Sequence, residues 1–137
     1  MEPQLSIDTL RESDYDAVAG LWSAARMPVL SESEIARIFA QGGRLLVARI
    51  DSECIGTVLW TFDGERAVVR KVTVREDYRR RGIAAALLES ARRQMRDAGI
   101  KRAVLFTGQQ NIAAQRLYSK LGWTLRTPAI EAWQITP

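Results

Sequence analysis

The stretch richest in chemical possibility is Val72-Thr73-Val74-Arg75-Glu76-Asp77-Tyr78-Arg79-Arg80-Arg81-Gly82-Ile83-Ala84. A β-branched run ends, a basic loop with a single glycine follows, and an alanine-rich helical pattern begins. Backbone N–H groups in the first turn of a helix lack intrahelical partners, and the macrodipole is positive there. A phosphate placed at such an end is held by backbone donors. Gly82 lets the backbone approach a ligand because it has no side chain, and Ala84 is small for the same reason. Arg79, Arg80 and Arg81 add long-range attraction for a polyanion. An ordinary exposed turn accounts for the same residues. The run is not a Walker loop, since the Gly-Lys-Ser/Thr ending is missing, and two of the three Rossmann glycines are absent.

A second group is Asn111 and Tyr118. Asn111 is a good N-cap for a helix carrying Ala114, Leu117, Tyr118 and Leu121 on one face. Tyr118 follows Asn111 by seven residues, two helical turns. Its place on the apolar stripe of that helix reads most simply as a core tyrosine. The sequence has no histidine, which excludes a Ser–His–Asp triad and a histidine metal site. Its one cysteine, Cys54, excludes an internal disulfide. Cys54 lies in an apolar strand pattern, so it reads as a buried inert thiol rather than a reactive one. The net charge is +4, and Arg66, Arg70, Lys71, Arg75, Arg79, Arg80 and Arg81 crowd the middle of the chain. Such a cluster fits a nucleotide, a nucleic acid or a solvated face.

These residues need elements to hold them. Leu5–Leu10 suits a first strand, and Ser13 is the expected N-cap of a helix through Ala17, Val18, Leu21 and Trp22 that Pro28 interrupts. Ser31 and Ser33 can cap a second helix, which ends at Gly42-Gly43. Arg44–Ile50, Cys54–Phe62 and Arg66–Arg75 read as three strands, joined by the turns Asp51-Ser52-Glu53 and Asp63-Gly64 and therefore antiparallel. Ala84, Leu87, Leu88, Ala91, Met95 and Ala98 form one helical stripe, with Gly99 as C′ glycine. Ala103–Phe106 is a strand expected to run parallel to the earlier one. Trp123–Leu125 and Ile130–Ile135, separated at Pro128, are expected last strands. Nearly half of the 137 residues are hydrophobic, enough for one core, and no run is long enough to span a bilayer. The opening residues carry no basic segment followed by an apolar one, so no secretory signal is expected and the default location is cytoplasmic.

The segment Arg79-x-x-Gly82-x-Ala84 matches the Gln/Arg-x-x-Gly-x-Gly/Ala motif of the GNAT superfamily of N-acetyltransferases, and Asn111-Ile-Ala-Ala114-Gln-Arg-Leu-Tyr118-Ser-Lys-Leu-Gly122-Trp123 resembles its Asn-x-x-Ala-x-x-x-Tyr-x-x-x-Gly-Phe segment. The order of elements agrees over nearly the whole chain, which is similar to the short bacterial YpeA-like branch. The resemblance implies one α/β GNAT domain over residues 1–137. Its sheet would be mixed and mostly antiparallel, with a splayed central strand pair and about four flanking helices. It implies acetyl-CoA as co-substrate without a metal. Val72, Thr73 and Val74 would meet the pantetheine arm, with the Val74 amide polarising the thioester carbonyl. Arg79, Arg80, Arg81, Gly82, Ile83 and Ala84 would cradle the pyrophosphate. Asn111 would bond the cofactor arm, and Tyr118 would protonate the departing thiolate. Each has a plain structural alternative: strand core for the valines, helix capping for Asn111, packing for Tyr118.

Some members of the family carry a glutamate base where this chain has about Val68, which cannot serve. Water, or an amine already neutral, would then deal with the proton. Asp63, Glu65 and Glu131 are substitutes that read more simply as surface or turn carboxylates. The acceptor would be a small-molecule amine, a peptide N-terminus or a lysine, and the protein a monomer or homodimer with no nucleic-acid or membrane partner. Acceptor choice would rest on the two early helices, the Asp63–Arg66 turn and residues 127–133. Trp22, Met27, Phe39, Trp60 and Trp133 are either pocket walls or core. Two other classes remain open: a non-catalytic acyl-CoA sensor, which could dispense with Tyr118, and a nucleic-acid binder, for which no recognition motif is present.

Overall fold

The structure, a computed structural model, describes residues 4–108, 110–126 and 135–136. The chain divides into two compact units, Met1–Phe106 and Thr107–Pro137. Glu131, Trp133 and most of the expected strand Ile130–Ile135 lie outside the described residues.

The first unit is a five-stranded sheet in the order β1-β2-β3-β4-β5. Its strands are β1 (Leu5–Thr9), β2 (Arg44–Ile50), β3 (Glu53–Phe62), β4 (Ala67–Val74) and β5 (Ala103–Leu105). The first four pair antiparallel, and β4 pairs β5 in parallel. The tight turns foreseen at Asp51-Ser52 and Asp63-Gly64 make the hairpins. Asp51 and Ser52 both take positive φ, 51° and 67°, as the right-handed twist of a two-residue hairpin requires. Helices α1 (Tyr15–Ala24), α2 (Glu32–Ala40) and α3 (Ile83–Asp97) flank this sheet. The second unit contains the fourth helix, α4 (Ile112–Lys120). The architecture is thus the expected mixed, mostly antiparallel sheet with four helices.

From Gly56 onward, alternation along β3 separates the two faces. Odd residues face α1: Leu59 packs in a cluster with Val18, Trp22, Ile35, Leu45 and Val47, and the Thr57 hydroxyl accepts from Trp22 Nε1 at 3.1 Å. Even residues face α3: Trp60 Nε1 donates to Gln94 at 2.9 Å, and Leu87 lies against Gly56.

Ser31 caps α2 as expected, in a reciprocal pair with Glu34 (3.1 and 2.9 Å). Ser13 does not cap α1. It sits inside a short 3-10 turn, Glu12–Asp14, and Asp14 is the N-cap residue. The Asp14 carboxylate instead accepts from the Arg11 backbone N–H at 2.6 Å and from Arg49. A carboxylate that can serve a buried arginine outcompetes a neutral hydroxyl for this position. Helix α1 ends at Ala24, before Pro28, where Arg26 adopts φ 59°. Trp123–Leu125 carries no strand pairing. A run of three residues has no strand identity without a partner edge.

No described helix is long and apolar enough to cross a membrane.

Candidate functional site

Strand β4 is irregular where the sequence places the chemistry. Its register against β3 slips between Thr57 and Leu59: Thr57 faces Thr73, but Leu59 faces Arg70. Lys71 and Val72 therefore oppose the single residue Val58. This is a β-bulge, and Lys71 takes φ 58° within it. The Thr57 hydroxyl donates to the carbonyl that the bulge turns aside, Lys71 O, at 2.7 Å. Trp22, Thr57 and Lys71 thus form a chain of hydrogen bonds from the core of α1 to the bulge.

Beyond the bulge, among the described residues, β4 pairs on one side only. Its pairing with β5 stops at Val69↔Leu105. Arg75 N–H donates to Ile55 O at 2.7 Å, which makes that pair the hydrogen-bonded one and its neighbour Val74↔Gly56 the other kind. The Val74 N–H and carbonyl consequently face away from β3, on the side where β5 no longer pairs. The Val74 carbonyl is taken by Arg79 Nε at 3.0 Å, and the N–H of Val74 has no partner among the described residues. This is the splay that the sequence reading expected. Val74 and Thr73 are buried, Val72 is half-buried within the bulge, and Val68 is half-buried upstream of it.

Close packing holds this segment down. A Cβ on Gly56 would meet Thr73 O at 2.9 Å and Leu87 Cδ1 at 3.1 Å. Gly56 therefore allows β3 to approach the backbone of β4 opposite Val74. An isolated glycine within a strand pattern is a readable signal for such an approach. Thr57 and Lys71 carry no comparable signal, because a bulge depends on the register between strands.

The loop after β4 contains a 3-10 turn, Glu76–Tyr78, and the arginines. Arg79, Arg80, Arg81 and Gly82 are exposed, and Ile83 is buried as the first residue of α3. Gly82 is the N-cap, with φ 78° and no side-chain cap bond. The first α3 bond closes on its carbonyl, from Ala86 N–H. The N–H groups of Ile83, Ala84 and Ala85 thus point out of the helix end with no capping side chain. Arg75 and Arg81 each lie 4.9 Å from the centroid of the Tyr78 ring. Arg75 is also paired with Asp77 at 2.8 Å, so it is committed to the loop's own structure. The first turn of α3 is suited by geometry and charge to a diphosphate.

In the second unit, Asn111 Oδ1 accepts from Ala114 N–H at 3.2 Å and caps α4, as its sequence pattern foretells. Tyr118 is half-buried, and its ring meets Trp123 at 6.4 Å in a tilted arrangement. Burial pushes the Tyr118 hydroxyl pKa up, so the phenol holds its proton at neutral pH.

The two substitute bases within the described residues are structural. Asp63 accepts from the N–H groups of Glu65 and Arg66 at 2.8 and 2.9 Å, which closes the hairpin turn. Those two backbone bonds hold its carboxyl below its usual range. Glu65 pairs with Arg102 at 2.9 Å. Trp22 and Trp60 are core, and Met27 and Phe39 pack against the cluster around Trp22.

Cys54 is half-buried and donates to Asp14 Oδ1 at 3.4 Å. Burial and then Asp14 push its thiol pKa up, which disfavours the thiolate. A cavity of about 370 Å³ between β1 and α3, lined by Leu5, Ile7, Glu89 and Arg93 among others, includes none of the candidate site residues.

The bulged central strand thus leads into an uncapped helix terminus whose open N–H groups and neighbouring arginines suit an anion. The acetyltransferase (GNAT) family model matches residues 7–123, and the chain belongs to that family. Acetyltransferase ECA0875 of Pectobacterium atrosepticum is 31% identical over 123 residues, covering 85% of this chain and 86% of the relative. Among solved structures, the ribosomal-protein-S18-alanine N-acetyltransferase of Escherichia coli superposes with a TM-score of 0.79 at 22% identity, covering 90% of this chain and 80% of the other. The aminoglycoside N-acetyltransferase AAC(6')-Iy, solved in complex with CoA, superposes with a TM-score of 0.82 at 16% identity, covering 98% and 97%. At those identities the two structures speak for the fold.

Proposed function

We propose that this chain transfers the acetyl group of acetyl-CoA directly to an amine in a ternary complex. The observation that carries the reading is the free side of β4 at Val74, continuous with the exposed N-terminus of α3. In this reading Val72, Thr73 and Val74 meet the pantetheine arm. The Val74 N–H, the donor left once Arg79 has taken the carbonyl, polarises the thioester carbonyl as negative charge develops on its oxygen. Arg79, Arg80 and Arg81 attract the diphosphate, and the N–H groups of Ile83 and Ala84 hold it, with Gly82 leaving the approach open. Asn111 contributes to the arm, and Tyr118 gives its proton to the departing thiolate.

The amine nitrogen forms a bond to the acetyl carbon as the C–S bond breaks. The proton of the amine passes to solvent in this reading: Val68 offers no base, and of the candidate carboxylates within the described residues Asp63 and Glu65 are engaged elsewhere. Within the family we assign the chain to the short bacterial YpeA-like branch, on its two motifs and the order of its elements. The acceptor is a small molecule or peptide amine.

The test is release of free CoA thiol from acetyl-CoA across a panel of amines and N-terminal peptides, alongside calorimetry with acetyl-CoA in the presence of a chelator. The expected result is metal-independent binding and amine-dependent thiol release. Binding without release from any amine would favour a sensor, and no heat at millimolar acetyl-CoA would remove the reading altogether.

A further inference from the structure

The bulge in β4 places two cations side by side on the α1 face of the sheet. Arg70 is opposite Leu59 in the register, and Leu59 is part of the cluster around Trp22, so Arg70 projects to that face. Lys71 reaches the same side: its ammonium donates to Pro28 O at 2.6 Å and lies 5.5 Å from the centroid of the Trp22 ring.

Lys71 is half-buried, and among the described residues neither Arg70 nor Lys71 has an ion-pair partner. Burial, and then the neighbouring charge of Arg70, lower the Lys71 pKa, while Glu34 acts more weakly in the other direction. The ammonium is held by one carbonyl and one ring face in an exposed hydrogen bond, so it stays open to a ligand. An anion docking there restores the missing charge balance.

The direction of approach adds the second element. Helix α3, whose N-terminus receives the diphosphate in the proposed function, packs on the even face of β3 through Leu87 and Gln94. Lys71 and Arg70 lie on the opposite face, beside the same bulge. A co-substrate that threads in from the α3 end leaves the α1 face for the amine. We infer that Lys71, with Arg70 beside it, receives a carboxylate of the acceptor, so that the acceptor is an amine that also carries a carboxylate. This rests on the acetyl-transfer reading above. The chemistry is unchanged: the acceptor nitrogen bonds to the acetyl carbon, the C–S bond breaks, the proton of the amine goes to solvent and the thiolate takes a proton. Lys71 binds and does not react.

Matched acceptor pairs test it: an α-amino acid against its carboxamide, a peptide with an aspartate at its second position against the same peptide with asparagine, and spermidine as a polycation. CoA release is followed for the wild type, Lys71→Gln and Lys71→Arg, with melting temperatures measured for each. The amine of the carboxamide is the more easily deprotonated of its pair, so intrinsic reactivity runs against the expectation. The expected result is a kcat/KM at least about tenfold higher for the carboxylate member, the scale of one charge-assisted hydrogen bond. The preference should fall to parity in Lys71→Gln and survive in Lys71→Arg. Preference for the free amino acid names a small acceptor, and preference for the aspartyl peptide names an acidic N-terminus. Either supports the inference.

Equal rates within each pair, fastest transfer to spermidine, or a preference untouched by Lys71→Gln overturns it while leaving acetyl transfer intact. No CoA release from any amine overturns the transfer reading and this inference together. If Lys71→Gln does not fold, the wild-type preference is measured against ionic strength. Erosion with added salt supports the ion pair, and a salt-independent preference overturns it.

Discussion

The hydroxyl of Thr57 joins two parts of the protein: it accepts a hydrogen bond from the buried indole of Trp22 and donates one to the carbonyl of Lys71 at 2.7 Å. Thr57 and Trp22 are fully buried, so the indole N–H has no water as a substitute. Thr57→Val keeps the shape and removes both bonds. The expected cost is roughly 1–3 kcal/mol for the polar groups left unpaired. The bulge carbonyl is then free to reorient, so the KM for acetyl-CoA should rise. Thr57→Ser should restore both stability and KM. Denaturant unfolding and steady-state kinetics on the two variants check this. A Thr57→Val enzyme with unchanged KM would mean that the bulge is held by the sheet alone.

Gly82 is expected to tolerate substitution in the fold better than in binding. A Cβ there meets no atom within 4 Å, but its φ is 78°. A branched residue such as valine costs about 1–2 kcal/mol of backbone strain at this angle and projects toward the donors at the start of α3. Gly82→Val should therefore lower the melting point slightly and weaken acetyl-CoA binding by more than tenfold, a loss on the order of 1.4 kcal/mol or greater. Calorimetric titration beside a thermal melt separates the two effects. Undiminished affinity would move the phosphate site elsewhere.

The sequence makes most of this architecture readable, for physical reasons that differ by element. The antiparallel strands β2, β3 and β4 are announced by β-branched runs and by Asp51-Ser52 and Asp63-Gly64, since local turn chemistry fixes a hairpin. Helix α3 shows in its apolar stripe and in Gly99, which takes φ 80° just past the helix end. The bulge at Lys71 is not announced. A lysine has no preference for positive φ, and the slip arises from pairing with Thr57 and Leu59 across the sheet. The burial of Arg49 is hidden for the same reason. Arginine in a strand reads as a solvated residue until the fold brings Asp8 and Asp14 to it. Ser13 was a reasonable cap by local rules, and the tertiary ion pair overrode it.

That ion pair gives a pH dependence. Arg49 is buried and bonded to Asp8 and to the buried Asp14. Burial by itself raises the Asp14 pKa, but the Arg11 backbone N–H, the Cys54 thiol and Arg49 together outweigh it and leave the value below 3.8. A carboxylate with a depressed folded pKa stabilises the protein above its unfolded pKa, and that stability is lost as pH falls through the folded value. Asp14→Asn should therefore be destabilising at pH 7 by about 3 kcal/mol, the scale of breaking a buried pair. The difference from the wild type should shrink steadily below about pH 4. Urea unfolding of both proteins between pH 7 and pH 3 measures it. A constant difference over that range would show that Asp14 acts through shape and not through charge.

Tyr118→Phe is expected to lower turnover while leaving acetyl-CoA affinity and stability nearly intact. Phenylalanine keeps the ring that packs against Trp123 at 6.4 Å and removes only the hydroxyl. Because burial raises the Tyr118 pKa, the phenol is in the right state to donate at neutral pH. A thiolate leaves more easily when a proton arrives as the C–S bond breaks, which for a well-placed acid contributes roughly 10²–10⁴-fold to the rate. A loss of that order in kcat, with unchanged binding in the cofactor titration, fits an acid that acts in the transition state only. The same chemistry gives a second readout. Ionisation of the phenol removes the donor, so the wild-type rate should fall on an alkaline limb that lies above pH 10, the ordinary tyrosine value. That limb should be missing from Tyr118→Phe. A tyrosine that only packs would instead show a lower melting temperature and an unaltered maximal rate. Single-turnover measurements, where product release cannot mask chemistry, decide between the two. An unchanged single-turnover rate would remove Tyr118 from the mechanism and leave water as the proton source for the thiolate.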